Sequence, residues 1–164
     1  MKKTACLLAL ALLTPCASFA QAQAPDTLVI KGKIQKTNSA DKKTLSLRFA
    51  DLQALGTQTI ESKQDYSPDT QFSGTLLKSI LKFAQAEPSA KQVVFTGVDG
   101  YKVFAPISDF SASDVIIAHT HAGVRMTPQT KGPYWVVYPT VADPKLSKQA
   151  QSKMVWNLQS IEVY

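Results

Sequence analysis

The chain has 164 residues, a formal charge of +6, 45% hydrophobic and 18% charged residues, 7 glycines and 9 prolines. That composition can bury a core and excludes the disordered and collagen-like classes, while the length excludes a multidomain enzyme. The basic residues are scattered, without an arginine cluster or interleaved aromatics, so nucleic acid is not the expected partner.

The N terminus reads as a Sec-type signal peptide. Met1-Lys2-Lys3 is a positive start, residues 5–13 are apolar, and residues 15–24 are rich in small side chains. Residues 1–20 are assigned to the signal, with cleavage after Ala20, Ala22 or Ala24, and residues 25–164 to a single domain. The Lys-Lys start and Gln-Ala tail suit export to a Gram-negative periplasm. Leu13-Thr14-Pro15-Cys16 has the outline of a lipoprotein box, but Pro15 stands where such boxes need a small residue, so a lipid anchor is not expected. Both cysteines, Cys6 and Cys16, lie in the signal. The processed domain then has no thiol, which excludes disulfides, cysteine nucleophiles and thiolate metal ligands. No later segment approaches the apolar length of a transmembrane helix.

Along the mature chain, residues 28–34 read as a strand, 35–43 as a polar loop, 44–48 as a short strand alternating at period two, and 49–55 as a brief helix closed by Gly56. Residues 57–63 suggest another strand and 64–71 a loop. Residues 75–85 carry Leu76, Leu77, Ile80, Leu81 and Ala84 at helical spacing and predict the clearest helix, one stripe packed on a sheet. Residues 92–96 and 101–105 flank Gly97-Val98-Asp99-Gly100, where Asp-Gly predicts a hairpin turn. Strands follow at 115–121, turning near Ala122-Gly123, and at 135–138, stopped by Pro139; residues 154–163 supply one or two more. Few helices, many strands and no repeat define an α+β domain with a mixed sheet.

Four pieces occur in order: Phe72-Ser73-Gly74-Thr75-Leu76-Leu77, Val98-Asp99-Gly100-Tyr101, Lys131-Gly132-Pro133-Tyr134-Trp135-Val136-Val137-Tyr138-Pro139, and Met154-Val155-Trp156 followed by Ile161-Glu162-Val163. With the strand that starts at Asp114, this set resembles the molybdopterin-binding domain of the sulfite oxidase family over nearly the whole mature chain. The resemblance implies a mixed α+β domain whose cleft holds molybdenum on a pterin dithiolene, with one protein thiolate on the metal. That thiolate would fall within residues 57–63, where this chain has Thr59-Ile60-Glu61-Ser62 and no cysteine. A neutral Ser62 hydroxyl is a far poorer donor than a thiolate to such a metal. The family's Gly-x-Pro-x-Arg segment has Trp135 at the Arg position, and the Lys before the late Trp is Val155. Each lost cation removes charge-assisted hydrogen bonds to the pterin phosphate worth about 1.5–3 kcal/mol.

The expected function is therefore a periplasmic binding, sensing or accessory module on this fold, without bound molybdenum and with a small molecule or membrane protein as partner. The alternatives are a molybdopterin-dependent oxidoreductase acting on a small oxyanion or oxide, and a periplasmic copper protein. The candidate ligand-binding residues are Asp99, Tyr101, His119, His121, Arg125, Trp135 and Tyr138. His119 and His121 are also the candidate metal pair, because residues two apart on a strand share a face. Each has a plainer reading beside the functional one. Asp99-Gly100 makes a turn with Tyr101 packed beside it, the histidines are strand residues near the core, Arg125 is solvated, and Trp135 and Tyr138 pack the interior.

Overall fold

The structure is a computed structural model that describes residues 26–64 and 67–164. The expected signal peptide, its expected cleavage site and the Cys16 box lie outside the described residues. Among the described residues, ten strands form two five-stranded sheets. In the first, β1 (Thr27–Gly32) lies between β2 (Thr44–Arg48) and β10 (Leu158–Val163), followed by β5 (Gln92–Gly97) and β6 (Lys102–Pro106). The β1–β10 pair is parallel, with Val29 opposite Ser160, and every other pairing is antiparallel. In the second, β3 (Gln58–Glu61), β4 (Gln71–Leu76), β7 (Ile116–His121) and the short β8 (Val124–Arg125) lie in that order, with β9 (Trp135–Val137) also paired to β7.

Period-two alternation turns Leu28, Ile30, Leu45, Leu47, Phe95 and Ile161 inward, where they meet α2 (Leu77–Phe83) and one face of β7 and β9. The other face of the second sheet carries a smaller apolar cluster of Ile60, Phe72, Ile116, Ala118, Met126, Trp135 and Val137. This sheet is therefore apolar on both faces, which is why Ile116 to Ala118 form a continuous buried run.

The mixed α+β reading holds, and the β5–β6 hairpin forms as its Asp-Gly turn predicts, with Gly100 at φ 81°. α1 (Phe49–Ala54) sits where expected, with the Asp51 carboxylate accepting from the Arg48 amide at its N terminus. The main helix is shorter than its periodicity suggested. Thr75 and Leu76 belong to β4, because the backbone there pairs with Ile117 and Ile116 of β7 before the helix turns away. Two short helices went unread: α3 (Ser108–Ala112), and α4 (Pro144–Gln151), which is capped by the Asp143 carboxylate at 2.7 Å from the Lys145 amide.

One local irregularity shapes the site. Ser73 pairs with Thr120 but Gly74 with Ala118, so His119 is an extra residue on β7. Gly74 is required here: a Cβ would lie 2.2 Å from the Ile117 carbonyl oxygen and 2.6 Å from the Ala118 Cα.

Candidate functional site

The bulge separates the two histidines. Beyond it the alternation slips by one residue, so His121 pairs with Phe72 and its ring stacks on that phenyl at 4.2 Å between centroids and 4° between planes. His121 Nε2–H donates to the Asp69 carbonyl at 3.1 Å. His119 meets a different set: its ring is edge-on to Phe49 at 4.9 Å, and its Nδ1 lies 2.9 Å from the Thr120 hydroxyl. The shared-face expectation for the pair fails because period two holds only where the ladder is unbroken. No group of three or more His, Cys, Asp or Glu residues converges among the described residues.

His119 belongs to a clasp around Arg125. The Arg125 Nη1 donates to the carbonyls of His119, at 3.0 Å, and Pro133, at 2.8 Å, while Nη2 pairs with Asp26 at 2.6 Å. The guanidinium lies 4.1 Å from the Phe49 ring centroid and 5.4 Å from that of Tyr134. Arg125 is thus a half-buried structural clamp rather than a solvated turn residue. Tyr134 is buried and its hydroxyl donates to the Asp26 carbonyl; burial, reinforced by the Asp26 charge, raises its pKa well above the phenol range. Burial, followed by the Arg125 charge, lowers the His119 pKa, and its Nε2 is buried without a hydrogen-bond partner among the described residues.

A second constellation lies on the Phe72 face. Trp135 is 1% exposed and meets Phe72 edge-on at 5.2 Å and Trp156 at 6.4 Å. Lys131 Nζ lies 5.0 Å from the centroids of both indoles, and burial lowers its pKa. Ser62, two residues beyond Ile60 at the end of β3, is 1% exposed, and its hydroxyl accepts from Gln64 Nε2 at 2.8 Å. Gln64 Nε2 also reaches the Met154 sulfur at 3.5 Å, and Gln151 Nε2 donates to the Lys63 carbonyl at 3.1 Å. The Ser62 hydroxyl is therefore engaged and covered from within the chain.

The remaining candidates fall elsewhere. Asp99 shapes its turn, accepting from the Tyr101 amide at 3.0 Å, whereas Tyr101 is 57% exposed instead of packed. Tyr138 is buried, with its hydroxyl directed at Asp109, whose carboxylate also pairs with Lys153 at 2.6 Å. Burial, then Asp109, raises the Tyr138 pKa far above its ordinary range. Of the sequence candidates, the fold gathers His119 with Arg125, and His121 with Trp135 through Phe72. Asp26, Lys131, Gln64 and Met154 were not read as site residues: each makes at least one contact distant in sequence, and only Lys131 and Met154, which open two of the motif pieces, carried a signal.

A mixed two-sheet domain with this strand order and an aromatic-lined face defines the class of fold, and sequence comparison gives the family. The model of the oxidoreductase molybdopterin binding domain matches residues 27–155, and the chain belongs to that family. Among solved structures it is similar to the sulfane dehydrogenase SoxCD from Paracoccus pantotrophus, with a TM-score of 0.62 and 17% identity over 84% of this chain. The match spans 38% of that longer protein, and at this identity it shows the fold alone. A search of curated proteins finds no match.

The family implies a molybdopterin cofactor, but the residues present do not fit one. Residues 57–63, where the resemblance puts the thiolate, hold no cysteine and the Ser62 hydroxyl there is engaged, while Trp135 and Val155, which the resemblance puts at two cation positions, are 1% and 2% exposed and part of the apolar packing. This donor set offers neither sulfur to a metal nor charge to a phosphate.

Proposed function

We propose that this chain is an exported, periplasmic member of the family that works without molybdenum, as a ligand-binding or sensing module or as the accessory partner of a membrane protein. The observation that supports this reading is the absence of a cysteine from residues 57–63 together with the buried apolar side chains of Trp135 and Val155. Each departure from the family pattern removes an interaction that a molybdenum–pterin needs, and the Trp135 and Val155 side chains are buried in the apolar packing. A scaffold persists when its packing is kept, while chemistry depends on the particular groups in the site.

The test is metal and pterin analysis of the processed protein purified from its native host under conditions that load other molybdoenzymes. The expected result is molybdenum far below one atom per chain and no dithiolene absorbance. A stoichiometric complement would overturn the proposal and restore the oxidoreductase alternative. The copper alternative has lost its geometric basis, since the His119 and His121 rings contact different neighbours.

A further inference from the structure

A cavity of about 540 Å³ opens on the outer face of the first sheet, lined by Thr27, Asn38, Ser46, Arg48 and Asp51. Leu28, Ile30, Leu45 and Leu47 turn inward, so Thr27 on β1 and Ser46 and Arg48 on β2 face outward, with Thr27 directly opposite Arg48. Asn38 supplies the wall beyond β2. Its Nδ2 donates to the Ser46 carbonyl at 2.9 Å and its Oδ1 accepts from the Ser46 amide at 2.7 Å, so a side chain occupies the edge that another strand would use. Asp51 Oδ2 accepts from the Arg48 amide at 2.8 Å, which holds the carboxylate and leaves its other oxygen for a ligand. Arg48 and Asp51 line this one cavity without neutralising each other: the ion pairs among the described residues are Lys31–Glu162, Lys78–Asp114, Arg125–Asp26 and Lys153–Asp109.

A cation and a carboxylate open to the same space select their ligand by charge. A simple anion drawn to Arg48 is repelled by Asp51, and a simple cation meets the reverse. A sugar finds no ring to stack on, because all five lining residues are polar and none is aromatic. A small molecule that carries both charges satisfies both groups at once, and the Thr27 and Ser46 hydroxyls and the second Asn38 Nδ2 proton serve its remaining polar atoms. We propose that this cavity binds a small zwitterion of the free α-amino acid type, with its carboxylate on the Arg48 guanidinium and its ammonium on the Asp51 carboxylate. The site deepens the ligand-binding reading and rests on it, yet its residues are separate from residues 57–63, Trp135 and Val155, on which the cofactor argument turns.

Serine is the probe, lactate keeps a carboxylate and a hydroxyl without the ammonium, and ethanolamine keeps the ammonium and a hydroxyl without the carboxylate. NMR titration of isotope-labelled protein follows the Asn38 side-chain amide and the backbone amides of Ser46 and Asp51. The expected result is a saturable shift with serine, affinities for lactate and ethanolamine lower by about fivefold or more, and a similar loss of serine affinity in Arg48→Gln. Asp51→Asn, which keeps an oxygen for the Arg48 amide, should remove the advantage of serine over lactate. Both side chains are exposed, so neither variant disturbs the core. No saturable shift with serine, lactate or ethanolamine binding as tightly as serine, or an unchanged serine affinity in Arg48→Gln would overturn the site. Molybdenum content measured on the same preparation separates the two readings: a metal-free protein that ignores serine loses only this site, whereas a molybdenum-loaded one loses the proposed function.

Discussion

Replacing Arg125 by Ala removes the clamp that ties β8, the Pro133 turn and the start of β1 together. Two charge-assisted bonds to the carbonyls of His119 and Pro133 are lost, each worth about 1.5 kcal/mol at the low end for charged donors. The contact with the Phe49 ring adds about 0.5–1 kcal/mol. The Asp26 pair, with that carboxylate 59% exposed, adds less than about 1 kcal/mol. The sum is about 3.5–5 kcal/mol, which falls to about 3–4 kcal/mol because water can reach a side chain that is 31% exposed. Urea denaturation of residues 25–164, with a slope of about 1.5–2 kcal/mol/M, should show the midpoint falling by about 2 M. Asp26→Asn should cost less than about 1 kcal/mol, and Arg125→Lys about half of the full loss, because an ammonium lacks the fork that spans both carbonyls. A loss under 1 kcal/mol for Arg125→Ala, or equal losses for Arg125→Ala and Asp26→Asn, would refute the assignment of the energy to the backbone contacts.

Other outcomes follow from the same geometry. Burial, followed by the Arg125 charge, lowers the pKa of His119. Its folded pKa lies below the unfolded value of about 6.5, so the unfolded chain takes up the proton first, and stability falls as pH drops below about 6.5, by up to about 1.4 kcal/mol per pH unit. Comparing urea midpoints of wild type and His119→Gln between pH 7.5 and pH 5 should reveal this added slope in the wild type alone; parallel profiles would contradict it. Gly74→Ala drives a Cβ into backbone atoms of β7, and thermal unfolding or soluble yield should register a loss above about 3 kcal/mol, with a near-neutral effect counting against the bulge geometry. Trp135→Arg restores the family's residue in isolation, yet buries a guanidinium among Phe72, Ile116 and Met126; a loss of about 3 kcal/mol or more is expected by calorimetry, and a stable variant would mean that the cleft is open there.

The features that could be read from the residues were those with local causes. Asp99-Gly100 dictates a turn whatever surrounds it, and the alternation of Leu45 and Leu47 places a half-buried strand. The absence of cysteine beyond Cys16 was visible at once. The separation of His119 from His121 was not, because a bulge is set by the partner strand and leaves the sequence of β7 unchanged. The start of α2 was misplaced for a similar reason: Thr75 and Leu76 have helical spacing, but pairing with β7 overrides it. α4 was within reach, since Asp143-Pro144 is a strong start signal, yet its residues are mostly exposed and offer no apolar stripe to notice. The seat of Lys131 on two indoles depends on Trp156, far along the chain, and no local pattern announces it.

The parallel pairing of β1 with β10 carries a consequence for how the domain comes into being. Strand β1 leaves the ribosome early but finds its neighbour, Ser160 beside Val29, only when residues 158–163 have been made. Until then the inward side chains of Leu28 and Ile30 lack the cover that Ile161 and Val163 provide. The central ladder of the first sheet therefore assembles only after β10 has been made, which slows folding through its large loop-closure cost.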